Sequence, residues 1–305
     1  MRPSEKDANK VYFIVLILLI TIGAYVQRKS LYSGLVITEF MIVLLPVLLY
    51  LCFNRFDIKY VLRFNTIKMK HVILIVGITL CGWFISTFFA LLTNLILSKV
   101  GHLPLSPIPI AESPYQLMLQ IFIISGIAAF CEEILMRGLI MRSYEMRGSL
   151  KAIIISALLF SMLHLNIQNF LSILFLGFLL GYVVHRTDSI FAGMIGHFTN
   201  NTFTLVMSYI MAHYPKTASA PHVANIAFAV ILFYGILVFG SAICLYFLLK
   251  LFIKSTNPYI IYSTTPVKED LEILFHWPLS ASILIFIFMI TLEIMKIAGI
   301  TVKLF

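Results

Sequence analysis

The chain alternates long apolar runs with short polar segments, and nine of these runs are long enough for a helix to cross a membrane. A hydrocarbon core of about 30 Å requires about 20 apolar residues in a helix. We therefore predict an all-α fold, a polytopic membrane bundle of about nine transmembrane helices. The predicted spans are residues 11–27, 34–53, 71–97, 116–141, 150–166, 170–185, 189–211, 224–252 and 278–300.

The composition supports this interpretation, since 61% of the 305 residues are hydrophobic and only 11% are charged. A soluble domain of this size carries about twice that charged fraction, roughly 25%. The unusual polarity inside the predicted spans is confined to residues 130–201. We therefore divide the chain into N-terminal flanking helices (1–115), a functional core (116–211) and C-terminal flanking helices (212–305).

The net charge of +9 is distributed as a topology signal, not as a nucleic-acid surface. Basic residues cluster before the first predicted span and after the second, fourth, sixth and eighth, whereas the alternate loops hold few. The clusters are Arg2, Lys6, Lys10, Arg55, Lys59, Arg63, Lys68, Lys70, Arg142, Arg147, Lys151, Arg186, Lys250, Lys254 and Lys268; the sparse set is Arg28, Lys29, Lys99, Lys216 and Lys303. The positive-inside rule then predicts a multi-pass cell-membrane protein with a cytosolic N-terminus and an exterior C-terminus.

The strongest chemical signal is a pair of adjacent glutamates, Glu132 and Glu133, within the apolar fourth span. Ionisable groups at membrane depth are costly and usually serve a function in the protein interior. Arg137 lies four residues after Glu133 and five after Glu132, so on a helix it can neutralise one carboxylate and leave the other free. A free carboxylate in such a setting can accept a proton near neutral pH, as a general base must.

Two further spans carry polar groups at a similar depth. His164 follows Phe160 by four residues late in span five, and His197 and Asn201 share one face of span seven, whereas Asn200 is expected to point elsewhere. The basic residue that marks the cytosolic end of the span lies ten to thirteen residues away from each of Glu132, His164 and His197. This corresponds to about 15–20 Å along each helix. We therefore expect one shared site, reached from the cytosolic side.

These residue types suit amide hydrolysis without a covalent intermediate. A glutamate and a neutral histidine can polarise a water molecule and move its proton. A second histidine with an asparagine one turn away can donate hydrogen bonds to a developing oxyanion. The sequence contains neither GxSxG nor HExxH, the signatures of commoner hydrolases.

Two other intramembrane carboxylates are less informative. Glu39 in span two has no evident partner, so it is compatible either with the core site or with a position reaching towards the membrane surface. Glu293 and Lys296 in span nine are three residues apart and are expected to neutralise each other.

Other functions remain open at this point. The same residues suit a proton-coupled carrier, although neither internal repeats nor broken helices are evident. They also suit a non-catalytic immunity or regulatory scaffold, in which the polar groups only hold helices together.

Three motifs in order resemble the CPBP family of CAAX proteases and bacteriocin-processing enzymes, also called the Abi family, which includes the type II CAAX prenyl endopeptidases. The motifs are Glu132-Glu133-xxx-Arg137 (followed by Gly138), Phe160-xxx-His164 and His197-xxx-Asn201. The resemblance covers about residues 116–211. It implies an intramembrane endopeptidase acting on a membrane-associated peptide or protein.

The same resemblance implies the roles of the motif residues. Glu132 and His164 activate the water, His197 and Asn201 form the oxyanion site, and Glu133 and Arg137 orient and neutralise the groups around Glu132. No cofactor is expected. The alternative is a zinc-dependent protease with Glu132, His164 and His197 as metal ligands. The resemblance leaves the substrate and the oligomeric state open, and membrane lipid is the expected surrounding partner.

Overall fold

In the computed structural model the chain is a bundle of helices, and the structure describes residues 2–106, 108–213, 223–258, 260–262 and 265–300. Lys216 and Lys303 of the charge analysis lie outside these residues. The described chain is 81% helical and contains no strand. The helical membrane bundle predicted from the sequence is therefore confirmed.

The helices follow the apolar runs closely. They are α1 (Glu5–Lys29), α2 (Leu31–Phe53), α3 (Met69–Leu97), α4 (Pro114–Arg147), α5 (Ser149–Leu163), α6 (Phe170–Thr187), α7 (Ile190–His213), α8 (Val223–Ser255), α9 (Val267–Leu274) and α10 (Trp277–Ile297). A single turn, Ile58–Val61, lies between α2 and α3.

Seven helices among the described residues are long and apolar enough to cross a membrane, so the predicted count of nine is not supported. The fifth predicted span ends early, because α5 has only 15 residues. The seventh has 24 residues in α7 but does not qualify as sufficiently apolar. The hydropathy of α7 is lowered by the polar residues His197, Asn200 and Asn201, which lie in this helix.

Several helices contain π-helical turns where the sequence alone predicts regular helix. They occur at Leu19–Gly23 in α1, Thr38–Leu44 in α2, and Ile121–Ile127 and Ile134–Ile140 in α4. Turns of this kind widen the helix by one residue and are frequent at functional sites. In this chain, the turn of α2 contains the buried Glu39, and the second turn of α4 directly follows the buried Glu133.

Helix α4 lies at the centre of the bundle. All of its residues from Glu133 to Glu145 are buried, and it contacts α1, α2, α5 and α7. The flanking helices complete the bundle, since α8 packs along α3 and α10 packs against α1 and α5. A residue in the middle of α4 is therefore surrounded by protein on all sides.

One end of the bundle is closed by a network of ion pairs. Glu145 at the end of α4 pairs with the buried Arg63 and, at 3.0 Å, with Arg142. Asp188, in the turn between α6 and α7, lies 2.6 Å from Arg63 and 3.2 Å from Arg142. This network joins three of the basic segments that the charge analysis places in the cytosol. We call this end of the molecule the basic end.

Candidate active site

The two adjacent glutamates of α4 have different surroundings. Glu133 and Arg137 are fully buried, and the Arg137 Nη1 donates to Glu133 Oε1 over 2.6 Å. The other guanidinium nitrogen, Nη2, donates to the Gly177 carbonyl at 3.0 Å. Glu132 is partly exposed to a cavity. The spacing of four residues thus pairs Arg137 with Glu133, which leaves the Glu132 carboxylate outside this ion pair.

His197 of α7 lies between the two glutamates. Its Nδ1 is 3.1 Å from Glu133 Oε1, and its Nε2 is 3.7 Å from Glu132 Oε2. A carboxylate only accepts hydrogen bonds, so Nδ1 carries a hydrogen and donates it to Glu133. The ring is therefore held by Glu133 and directs Nε2 towards Glu132.

Gly193 allows α7 to come this close to α4. It lies one turn before His197 on the same helix face, and a Cβ at this position would collide with the Glu133 carboxylate and come within 2.9 Å of the Val184 side chain. The sequence signal was available, because positions 193, 197 and 201 recur at a spacing of four. Gly193 was nevertheless not among the predicted site residues.

His164 follows the last residue of α5, and its side chain is exposed to the cavity. The Nδ1 is 2.9 Å from the Phe160 carbonyl oxygen. Since a carbonyl can only accept, Nδ1 carries the hydrogen, and in the neutral ring Nε2 has a free lone pair. His164 is thereby prepared to accept a proton or a hydrogen bond through Nε2.

Phe160 packs against three of the polar groups. Its ring centroid lies 4.9 Å from that of His164 and 5.6 Å from that of His197, both edge to face. The Arg137 guanidinium carbon lies 4.7 Å from the same centroid, at cation–π distance. The predicted supporting residue Phe160 thus touches both histidines and the buried cation.

Asn201 lies one turn after His197, as the spacing predicts. Its Nδ2 donates to the Ile124 carbonyl at 3.0 Å, and its Oδ1 accepts from Asn200 Nδ2 at 3.1 Å. The other N–H of the Asn201 amide takes part in neither bond. The expectation that Asn200 points elsewhere is wrong, since Asn200 lines the same cavity and fixes the orientation of the Asn201 amide.

A cavity of about 640 Å³ brings these groups together. Glu132, His164, His197 and Asn201 all line it, although they come from three helices that are separate in sequence. The volume is within the range of about 300–1,000 Å³ that is typical of ligand pockets. These residues thus share one cavity, as the similar depths predict.

The cavity lies in the half of the bundle away from the basic end. Its wall includes residues 108–111 of the segment before α4, the first half of α2 and of α4, and the later half of α7. Because consecutive helices alternate in direction, these parts of the chain adjoin the same face of the bundle. Access from the basic, predicted cytosolic end therefore disagrees with the geometry, since the buried ion-pair network closes that end.

Glu39 also lines this cavity. It is only 7% exposed, and it lies in the π-helical turn of α2 that packs against the Glu132 segment of α4. The sequence left its place open between the core site and the membrane surface, and the structure puts it in the core. No residue spacing could have shown this, because α2 and α4 meet only in the folded bundle.

Glu293 of α10 contributes from outside the core. Its Oε2 accepts the Ile167 backbone N–H at 2.7 Å, and Lys296 acts on it only through a longer-range charge interaction. The prediction of a simple Glu293–Lys296 pair is therefore incomplete. The bond ties α10 to the turn that follows His164.

The described residues do not offer a group of three His, Cys, Asp or Glu side chains spaced to hold a metal ion. Nδ1 of each histidine is already bound, by Glu133 in one case and by the Phe160 carbonyl in the other, so only Nε2 of each ring is available to a ligand. Zinc held by Glu132, His164 and His197 through these free nitrogens therefore stays the alternative to the metal-independent mechanism, and we derive no step through a metal.

Comparison with known proteins agrees with the motifs. Residues 114–203 match the family model described as type II CAAX prenyl endopeptidase Rce1-like. This segment, less than a third of the chain, contains all of the predicted site residues. Neither a curated protein nor a solved structure matches the chain. Over this segment the chain is similar to the CAAX-type proteases, which confirms the family resemblance carried by the three motifs, and its long apolar helices are those of a multi-pass membrane protein.

Proposed function

We propose that this protein is an intramembrane endopeptidase that hydrolyses a peptide bond in a membrane-associated peptide or protein with water activated by Glu132 and His164. The observation that carries the proposal is the convergence of Glu132, His164, His197 and Asn201 on one cavity. Helix packing alone does not require four polar groups from three helices to face the same space.

In the proposed first step, the water lies between the Glu132 carboxylate and the free Nε2 of His164. Glu132 takes the proton as the oxygen attacks the carbonyl carbon, and His164 accepts the second water hydrogen in a hydrogen bond. Glu133 does not compete for this proton, because it is fully buried, is not among the residues that line the cavity and is paired with Arg137. The Arg137–Glu133 pair thus supports the base role of the first glutamate.

The oxyanion that forms on the substrate carbonyl is held by His197 and Asn201. Because Nδ1 of His197 donates to Glu133, Nε2 has a hydrogen to donate only in the doubly protonated ring. Asn201 contributes its second amide N–H. Removal of one oxyanion donor typically costs about 100-fold or more in turnover. When the C–N bond breaks, Glu132 returns its proton to the leaving amine.

The substrate reaches the site from the face of the bundle that carries residues 98–106 and 108–113. If the basic end is cytosolic, as the positive-inside rule indicates, this face is exterior and the cell membrane is the site of action. The scissile bond then lies within the bilayer or enters it from outside. Peptide signals, bacteriocins and membrane proteins with an exterior segment are the substrates that suit such access.

The proposal is tested with detergent-purified protein and a panel of fluorogenic, membrane-anchored peptides. Wild type is compared with Glu132→Gln and His164→Ala, each with and without a strong zinc chelator. Turnover that is lost in both variants and survives chelation supports the glutamate mechanism. If turnover is lost on chelation and restored by zinc, Glu132, His164 and His197 act as metal ligands instead.

Two rival functions predict other outcomes of the same series. A carrier moves protons across proteoliposomes and loses that flux in Glu132→Gln while cleaving nothing. A scaffold keeps its biological activity in Glu132→Gln and loses it only when helix packing is disturbed. Peptide cleavage that depends on Glu132 rejects both.

A further inference from the structure

Glu39 is a buried carboxyl group with one unpaired oxygen. Its Oε2 has no hydrogen-bond partner in the part of the chain that the structure describes, and the side chain is 7% exposed. The residue lines the cavity that holds Glu132 and lies near enough to interact with it electrostatically. The proposed mechanism gives Glu39 no role, and it lies outside the segment 114–203 that matches the protease family.

The cavity carries an excess of acidic groups. Glu39 and Glu132 both line it, whereas neither Lys nor Arg is present among the described residues of its wall. The nearby cation, Arg137, is bound to Glu133 and the Gly177 carbonyl. The remaining wall is apolar or carries polar side chains without a fixed charge, and its two histidines, His164 and His197, act in the proposed mechanism. Among the described residues, the wall therefore offers Glu39 neither a lysine nor an arginine as a partner.

We propose that Glu39 is a specificity residue that binds a positively charged group of the substrate, such as a lysine or arginine side chain or a free amino terminus close to the scissile bond. This inference rests on the proposed function and adds the substrate class. The site then favours cationic peptides over those that present a carboxylate.

The physical reason is the cost of a buried charge. An isolated carboxylate in an apolar interior is expensive to ionise, and an incoming cation offsets that cost by pairing with it. A substrate anion has the opposite effect, because it would enter a space that already holds two carboxyl groups. Specificity of this kind combines an attractive contact for one class with a repulsive contact for the other.

The same reasoning separates Glu39 from Glu132. A cation held at Glu132 would occupy the group that must take the proton from water. Glu39 comes from α2, on another wall of the cavity, so it can hold the cation and leave Glu132 free. The acidic pair is thereby divided into one group for binding and one group for catalysis.

The test uses three fluorogenic peptides that differ at one residue next to the scissile bond: lysine, acetyl-lysine or glutamate. Wild type, Glu39→Gln, Glu39→Asp and the control Glu112→Gln are compared by kcat/KM. Glu112 is an exposed carboxylate near the same face, so its variant changes the net charge by the same amount. Thermal unfolding of each purified variant shows whether the fold is kept.

For wild type and Glu112→Gln, kcat/KM is expected to be higher for the lysine peptide than for the acetyl-lysine peptide by about 30-fold or more, the range for a buried charge pair. The difference should lie in KM. Glu39→Gln is expected to lose this preference and Glu39→Asp to keep part of it. If wild type cleaves the three peptides with equal kcat/KM, the proposal is overturned before any variant is measured. An equal kcat loss on all peptides in Glu39→Gln also overturns it and assigns Glu39 to the proton transfer.

Binding of the same peptides to Glu132→Gln, measured by fluorescence anisotropy, separates recognition from hydrolysis. A lysine preference in binding that disappears in the Glu132→Gln/Glu39→Gln double variant supports the role of Glu39 even if wild type cleaves none of the peptides. In that case the proposed function fails and the recognition site stands. Binding without a lysine preference overturns the recognition site.

Discussion

The Nδ1 of His197 lies 3.1 Å from the Oε1 of Glu133, so the second glutamate of the pair holds the histidine of α7. The motif resemblance gave Glu133 the task of orienting groups around Glu132. In the structure it does so through His197, whose Nε2 then faces Glu132. Glu133 acts in the same way as the carboxylates that fix the tautomer and orientation of histidines in other active sites.

The Glu133–Arg137 pair is expected to contribute mainly to stability. Arg137→Met leaves a buried carboxylate without its cation, which should destabilise the protein by about 3–5 kcal/mol. The double variant Glu133→Gln/Arg137→Met removes both charges and should regain most of that loss. Thermal and SDS-induced unfolding of the purified proteins measure the difference.

Activity provides the second readout for this pair. The amide oxygen that the Glu133→Gln substitution introduces can still accept from His197 Nδ1, so part of the turnover should return together with the stability. A double variant as unstable as Arg137→Met would contradict the charge-pair explanation. It would show that the hydrogen bond from Arg137 to the Gly177 carbonyl is the important contact.

His164→Asn should fold normally and lose turnover by about 100-fold or more, the usual contribution of a positioned acid–base group. An asparagine amide can reproduce the donor at the Nδ1 position, and hence the bond to the Phe160 carbonyl, but it has no atom at Nε2. His102→Asn, at an exposed position, is the matched control. If His164→Asn retained full kcat with unchanged unfolding, Nε2 would have no part in the reaction.

Local spacing predicted those parts of the site that lie on one helix. The four-residue interval from Glu133 to Arg137 gave their ion pair, and counting residues from the ends of three spans predicted that separate helices share a site. Both arguments depend only on helix geometry. They therefore succeed wherever the chain is helical on both sides of the residue.

The remaining features depend on which helices meet. Glu39 reaches the cavity because a π-helical turn of α2 packs on α4, and Asn200 joins it through a bond to its own neighbour. Hydropathy also overstated the number of spans, because α5 stops at Leu163 and α7 carries the polar site residues. A window of apolar residues contains no information on such contacts.

Glu293 is expected to support catalysis from outside the core. Glu293→Leu removes the acceptor for the Ile167 N–H, so the turn after His164 loses its tie to α10 and kcat should fall by about 10-fold, as for a misplaced catalytic group. Glu293→Gln keeps an acceptor oxygen and should retain most of the activity. Equal kcat for wild type and Glu293→Leu would show that the turn holds His164 without α10.

The direction of access can be measured with single cysteines. The native residues Cys52, Cys81, Cys131 and Cys244 are free thiols and are first replaced. Ile110→Cys is then introduced in the cavity wall before α4, where the side chain is 53% exposed, and Met146→Cys at the basic end, where it is 58% exposed. The two positions differ in the face of the bundle but have similar exposure.

In protoplasts, a membrane-impermeant maleimide should label Ile110→Cys at once and Met146→Cys only after permeabilisation, because the basic end is expected to be cytosolic. Labelling of Ile110→Cys should also slow peptide cleavage, since the bulky group enters the cavity. The reverse labelling pattern would place the cavity on the cytosolic face. It would then limit the substrates to peptides that enter from the cytosol, although the reacting groups and their geometry would stay the same.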